Sequence, residues 1–133
     1  MLLHFNQILP KRDALLRLIE FISIAMPTRA AHMEMSLLVD FYMLPDKFKY
    51  HRFSTAGKKR LRKMLEEEGR GLAIETINTY IYSLIKKGYL YRDEDRMIYT
   101  VPLIQKELDK MLEVYEKNTS YSVNLQITPP KDV

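Results

Sequence analysis

Apolar residues recur every third or fourth position through most of this chain, and every second position only near its end. The opening stretch, Met1 to Pro10, has no clear period. Beyond it Leu15, Ile19 and Ile22 fall at helical spacing beside Leu18 and Phe21, which predicts a helix over 11–26. Pro27 stops it, because proline cannot donate to the helix ladder and disfavours helical geometry in the residue before it. Thr28 is the expected cap of a second helix over 29–43, with Ala31, Met35, Leu38 and Tyr42 on one face. Leu44-Pro45-Asp46 ends that helix. Lys47 to Phe53 then forms a basic, aromatic connection whose Phe48, Tyr50 and Phe53 are expected over the edge of the core.

Ser54 or Thr55 caps a third helix to about Glu68, with Leu61, Met64 and Leu65 on its apolar side and Gly57 one turn earlier. Gly69-Arg70-Gly71 breaks the chain, since glycine accepts positive φ at little cost. From Ala73 to Lys87 the stripe Ile74, Ile77, Ile81, Leu84 and Ile85 predicts a fourth helix, stopped by Gly88. Tyr89 to Arg92 and Arg96 to Val101 are rich in aromatic and β-branched residues, and the acidic turn between them predicts a short hairpin. Pro102 suits the first turn of a fifth helix to about Lys117, on which Ile104, Leu108, Met111, Leu112 and Tyr115 recur.

The period then changes to two. Tyr121, Val123, Leu125 and Ile127 alternate with polar residues, which predicts a half-buried strand over 121–127, ended by Pro129-Pro130. A lone strand needs a partner for its backbone groups. Two are open at this level: the hairpin at 89–101, which the tail would join as a third strand, or another protein chain.

A helix, a glycine-containing turn, a helix and a hairpin, in that order, are the parts of a winged helix-turn-helix. The segment from Ala73 to Leu90 resembles the recognition helix and first wing strand of that superfamily, most specifically where Lys86-Lys87-Gly88-Tyr89-Leu90 turns the helix into the wing. The resemblance covers 28–101 and is similar to small proteins of phages and mobile elements, which implies host cytoplasm or a virion as the place of work. The expected fold is mainly helical with a small hairpin. It comprises an amino-terminal segment and helix at 1–27, the winged core at 28–101, an amphipathic helix at 102–118 and a tail at 119–133 carrying the strand. The chain departs from the superfamily at Ala73, where a capping Ser or Thr is common, and at the acidic wing tip Asp93-Glu94-Asp95. That tip repels phosphate, and the flanking Arg92 and Arg96 are expected to neutralise it locally.

Composition changes this picture in one place. The formal net charge of +4 is modest, but every charged residue from Lys47 to Lys63 is basic. Lys58, Lys59, Arg62 and Lys63, with Arg92 and Arg96, are the candidate phosphate contacts. Thr76, Asn78, Thr79, Tyr82 and Ser83 are the candidate groove-facing residues of the recognition helix, with Asn78 suited to an adenine edge. The same basic side of the third helix is also what a solvated face looks like. Duplex DNA is the expected partner.

The competing reading is a non-enzymatic assembly protein. On that reading Leu108, Met111, Leu112 and Tyr115 of the last helix, and Tyr121, Val123, Leu125 and Ile127 of the strand, would dock on copies of the chain or other subunits. An enzyme is not expected, nor a small-molecule substrate, cofactor or metal. His4, His32 and His51 lack ligand spacing, cysteine is absent, and the four glycines form no phosphate-binding loop. The chain starts without a signal-peptide pattern, and its apolar runs fall short of the roughly 20 residues that span a bilayer, so neither secretion nor a membrane anchor is expected.

Overall fold

A computed structural model describes residues 2–5, 9–117 and 121–124, the strand backbones at either end without their side chains. The fold is mainly helical, with a small antiparallel hairpin. Five α-helices follow in order: α1 (Lys11–Ala25), α2 (His32–Tyr42), α3 (Thr55–Glu67), α4 (Ile74–Lys86) and α5 (Pro102–Lys117). A single 3-10 turn, Asp46–Phe48, lies between α2 and α3. The hairpin pairs β2 (Leu90–Arg92) with β3 (Ile98–Thr100), Tyr91 opposite Tyr99. Among the described residues no helix is long and apolar enough to cross a membrane.

The helix stripes meet in one core. α1 packs on α2 and α5, α2 packs on α3 and α4, and α4 leads straight onto β2. Leu15, Leu18 and Ile19 of α1, Leu38 and Phe41 of α2, Leu61 and Leu65 of α3, and Ile77, Ile81 and Leu84 of α4 are all essentially inaccessible. Each such side chain contributes about 1.5–3 kcal/mol relative to exposure. Phe48 and Phe53 are also buried, with Phe53 against Phe41 at 4.6 Å between ring centroids, whereas Tyr50 of the same connection stands 77% exposed.

The turn between α1 and α2 differs from expectation. Thr28 does not cap α2. The helix starts later, after Ala31, whose N–H donates to Glu34 Oε1 at 2.6 Å, and Ala31 itself is exposed rather than part of the apolar face. Thr28 serves instead through its carbonyl, which accepts from the Tyr89 hydroxyl at 2.9 Å. Tyr89 is completely buried, and its hydroxyl also lies 2.7 Å from Ser23 Oγ and accepts from Ala30 N–H at 3.1 Å. The residue after the α4 stop thereby pins the α1–α2 turn, a link that no local pattern signals.

The strand near the end has a partner that neither expectation named. β4 (Tyr121–Asn124) pairs antiparallel with β1 (Leu2–Phe5) of the same chain, with Leu3 opposite Val123 and Phe5 opposite Tyr121. Among the described residues it does not join β2–β3, which is two-stranded. Met1 to Pro10 shows no alternation that predicts β1, whose strand character comes from pairing across the chain. Leu125 and Ile127 lie outside the described residues.

α5 closes the core from the side of α1. Ile104, Leu108, Met111 and Val114 are buried there, while Leu112 and Tyr115 are half-buried flanks. Tyr115 donates its hydroxyl to the Leu9 carbonyl, tying the helix to the segment before α1. The apolar face expected against either the protein's own core or a second copy, Leu108 and Met111 above all, is thus covered by the protein's own helices.

Candidate nucleic-acid interface

α3 owes its position to a cap and a close approach. Ser54 Oγ accepts from Gly57 N–H at 3.1 Å and its hydroxyl donates to the His51 carbonyl at 2.8 Å, which holds the first turn. Gly57 is required here, because a Cβ would collide with the Arg52 carbonyl oxygen. α4 follows after Gly69, whose φ of +73° reverses the chain, and ends at Gly88, whose φ of +89° turns it into β2.

Between the first turn of α3, the exposed side of α4 and the hairpin runs an open groove of about 610 Å³. Its polar lining is Ser54, Thr55, Lys58, Tyr82, Arg92 and Arg96, and its apolar lining includes Phe53, Met97 and Ile98. No acidic residue lines it. Three of the six candidate phosphate contacts, drawn from two separate stretches of sequence, therefore meet in one place. Lys59, Arg62 and Lys63 are exposed on α3 but do not line the groove. Among the described residues none of these six cations forms an ion pair.

The groove cations affect one another. Partial burial, and then the neighbouring Arg92 charge, push the Lys58 ammonium below its ordinary value. Arg92 lies over the Tyr82 ring, 5.5 Å from its centroid. A bound anion would relieve the repulsion between Lys58 and Arg92.

The hairpin tip is built differently from the local neutralisation expected of it. Asp93 Oδ1 accepts from the Asp95 and Met97 N–H groups at 2.9 and 2.8 Å, so this carboxylate makes the turn. Arg96 sits at φ 63°, a left-handed conformation that a bulky residue adopts at a cost. Arg92 and Arg96 do not pair with the acidic tip; both line the groove. Glu94 and Asp95 remain exposed at the end of the hairpin.

The candidate recognition residues separate into two groups. Thr79 and Tyr82 are exposed, with Tyr82 at 55%. Thr76, Asn78 and Ser83 are half-buried flanks. Burial alone would raise the Glu34 carboxyl, but Lys87 and the Ala31 N–H, which donate to it, and the nearby Ser83 hydroxyl outweigh that and hold it below its ordinary value, so Ser83 is turned towards Glu34 of α2. Asn78 Oδ1 is enclosed without a hydrogen-bond partner and is not presented to solvent. Thr79 donates to the Glu75 carbonyl at 2.9 Å, leaving its oxygen free to accept. Lys86 and Glu75 complete the exposed strip with Thr79 and Tyr82; the spacing of three, four and seven residues was the signal for including them.

No family model, curated protein or solved structure matches this chain.

Proposed function

We propose that this chain is a winged helix-turn-helix protein that binds duplex DNA without enzymatic activity, with α4 as its recognition helix and β2–β3 as its wing. The observation that carries the reading is the groove in which Lys58, Arg92 and Arg96 converge with no acidic lining residue. Phosphate oxygens supply the negative charge that these cations lack, and the Ser54 and Thr55 hydroxyls beside them suit the same backbone. Thr79, Tyr82 and Lys86 are the side chains placed to approach base edges. The assembly reading drew on α5 and the strand at 121–127, and α5 has its apolar face engaged within the chain. Duplex DNA is therefore the first reading.

The test is a fluorescence-anisotropy titration of duplex DNA across a salt series. The pair Lys58→Gln and Arg92→Gln is expected to lower the steepness of the salt dependence by about 2, and to weaken all duplex sequences alike. Lys59→Gln, Arg62→Gln and Lys63→Gln together are expected to have a smaller effect, because those side chains lie outside the groove. Salt-independent affinity in the wild type, or an unchanged salt slope in the groove pair, would overturn the proposal.

A further inference from the structure

Arg52 is the most buried cation of the basic stretch. The residue is 8% exposed, its guanidinium carbon lies 4.0 Å from the centroid of the Tyr42 ring, and one of its N–H groups donates to the Lys49 carbonyl at 2.8 Å. Among the described residues it has no ion pair and no other hydrogen bond. Those of its five guanidinium donors that the fold leaves unused keep contact with solvent, and so stay open to an acceptor from outside.

Arg52 lines a pocket of about 310 Å³ at the root of the hairpin. Beside Arg52 it is lined by Lys49, Gln105 and the Thr100 hydroxyl, and its aromatic walls are Tyr42, Tyr50 and Tyr99. Tyr42 donates to Thr100 Oγ1 at 2.7 Å, and burial pushes its own deprotonation up to about 12, so it stays a neutral wall. Neither Asp nor Glu lines this pocket. Asp46, Asp109, Glu113 and Glu116 line a neighbouring cleft that Lys49 and Arg52 also border.

We infer that this pocket is a binding site for a small planar anion, a single ring bearing a phosphate or carboxylate. The charged group would sit between Arg52 and Lys49, where the guanidinium fork meets two oxygens at once. The ring would lie against Tyr50 and Tyr99, with Gln105 and Thr100 offering hydrogen bonds to its edge. The volume stands at the lower end of small-molecule sites, which run from about 300 to 1,000 Å³, and so suits one ring rather than two. Phe53 and Ile98 line both this pocket and the basic groove, yet the pocket's chemistry is independent of whether that groove binds DNA.

The intact chain, labelled with ¹⁵N, is titrated with phenyl phosphate, with benzoate, with phenol and with inorganic phosphate, following amide and Arg52 Nε shifts. One of the two ring anions is expected to saturate, with shifts centred on Arg52, Tyr99 and Thr100; which one does tells phosphate from carboxylate. Phenol and inorganic phosphate are each expected to bind at least about tenfold more weakly, the ratio a lost charge-assisted hydrogen bond produces. Arg52→Gln should abolish saturation while leaving the circular dichroism unchanged. If Arg52→Gln does not fold, exposed Lys49→Gln decides, with weaker binding expected. The inference is overturned if neither ring anion saturates at millimolar concentration, if phenol or phosphate alone binds as tightly, if the shifts centre on Tyr82 and Arg92 instead, or if binding is unchanged in Lys49→Gln.

Discussion

The cations around α2 and the cations around the groove are the same residue types put to opposite uses. On the α2 side Asp40, 4% exposed in its side chain, receives Arg12 from α1 at 2.8 Å and Arg70 from the α3–α4 turn at 3.1 Å. Glu34, equally buried, receives Lys87 from the end of α4 at 2.6 Å. Two carboxylates on one helix therefore fix both ends of α4, one through the turn before it and one through its last residues. Around the groove, Lys58, Arg92 and Arg96 converge with no carboxylate among the lining residues. A cation answered by a buried carboxylate holds the fold together, whereas unanswered cations gathered in a groove add only repulsion until an anion arrives.

The largest effect expected from this contrast is on stability. Lys87→Ala strands the buried Glu34 carboxylate and is expected to cost about 3 kcal/mol, the low end for a broken buried pair because Lys87 keeps some solvent contact. Its melting temperature should fall by roughly 10 °C, which calorimetry measures. Lys58→Gln is expected to leave the melting temperature unchanged or raise it slightly. A variant at Lys58 as destabilising as that at Lys87 would erase the distinction.

The pH dependence should separate the two sides next. The depressed Glu34 carboxyl contributes stability that is present above the ordinary glutamate value and is lost as pH falls through its folded value. Glu34→Gln is therefore expected to flatten the acid limb of the stability curve. Lys58 gives a slope of the same sign in a higher pH window, for a different reason: its charged form is the one that folding disfavours. Its ammonium is held less tightly in the folded chain than in the unfolded one, so stability rises as pH climbs from the folded value towards the ordinary one. Lys58→Gln should flatten that alkaline rise. Denaturant midpoints recorded across the pH range check both windows.

The smallest effect concerns selectivity. Thr79→Ala is expected to change discrimination between duplex sequences by about 1 kcal/mol with little change in melting temperature. Ser83→Ala, about one turn further along α4, is expected to cost about 1 kcal/mol of stability and leave discrimination unchanged. Competition binding against a panel of duplexes, with melting curves on the same samples, distinguishes them. The reverse pattern would put Ser83 on the reading face and Thr79 on the structural one.

Helix spans were legible because their causes are local. The stripes of α1, α3 and α4, the stops at Pro27 and Gly88, and the Ser54 cap each depend on residues a few positions apart, and all lie where the spacing predicts. The same local reasoning identified Lys58, Arg92 and Arg96 as candidates, and it offered Thr79 and Ser83 as equals on one helix.

Tertiary structure decided which of those residues share a surface and which are already engaged. Glu34 reaches Lys87 across a helix interface, Tyr89 claims the carbonyl of Thr28, the residue that local pattern assigned to a cap, and β1 becomes a strand only against β4. Arg52, one basic residue among many in the sequence, is buried against Tyr42 by the close approach that Gly57 permits. A hydrophobic period records how each segment meets the core. It carries no term for which buried polar atoms satisfy one another across the chain, because those partners are chosen only when the helices pack.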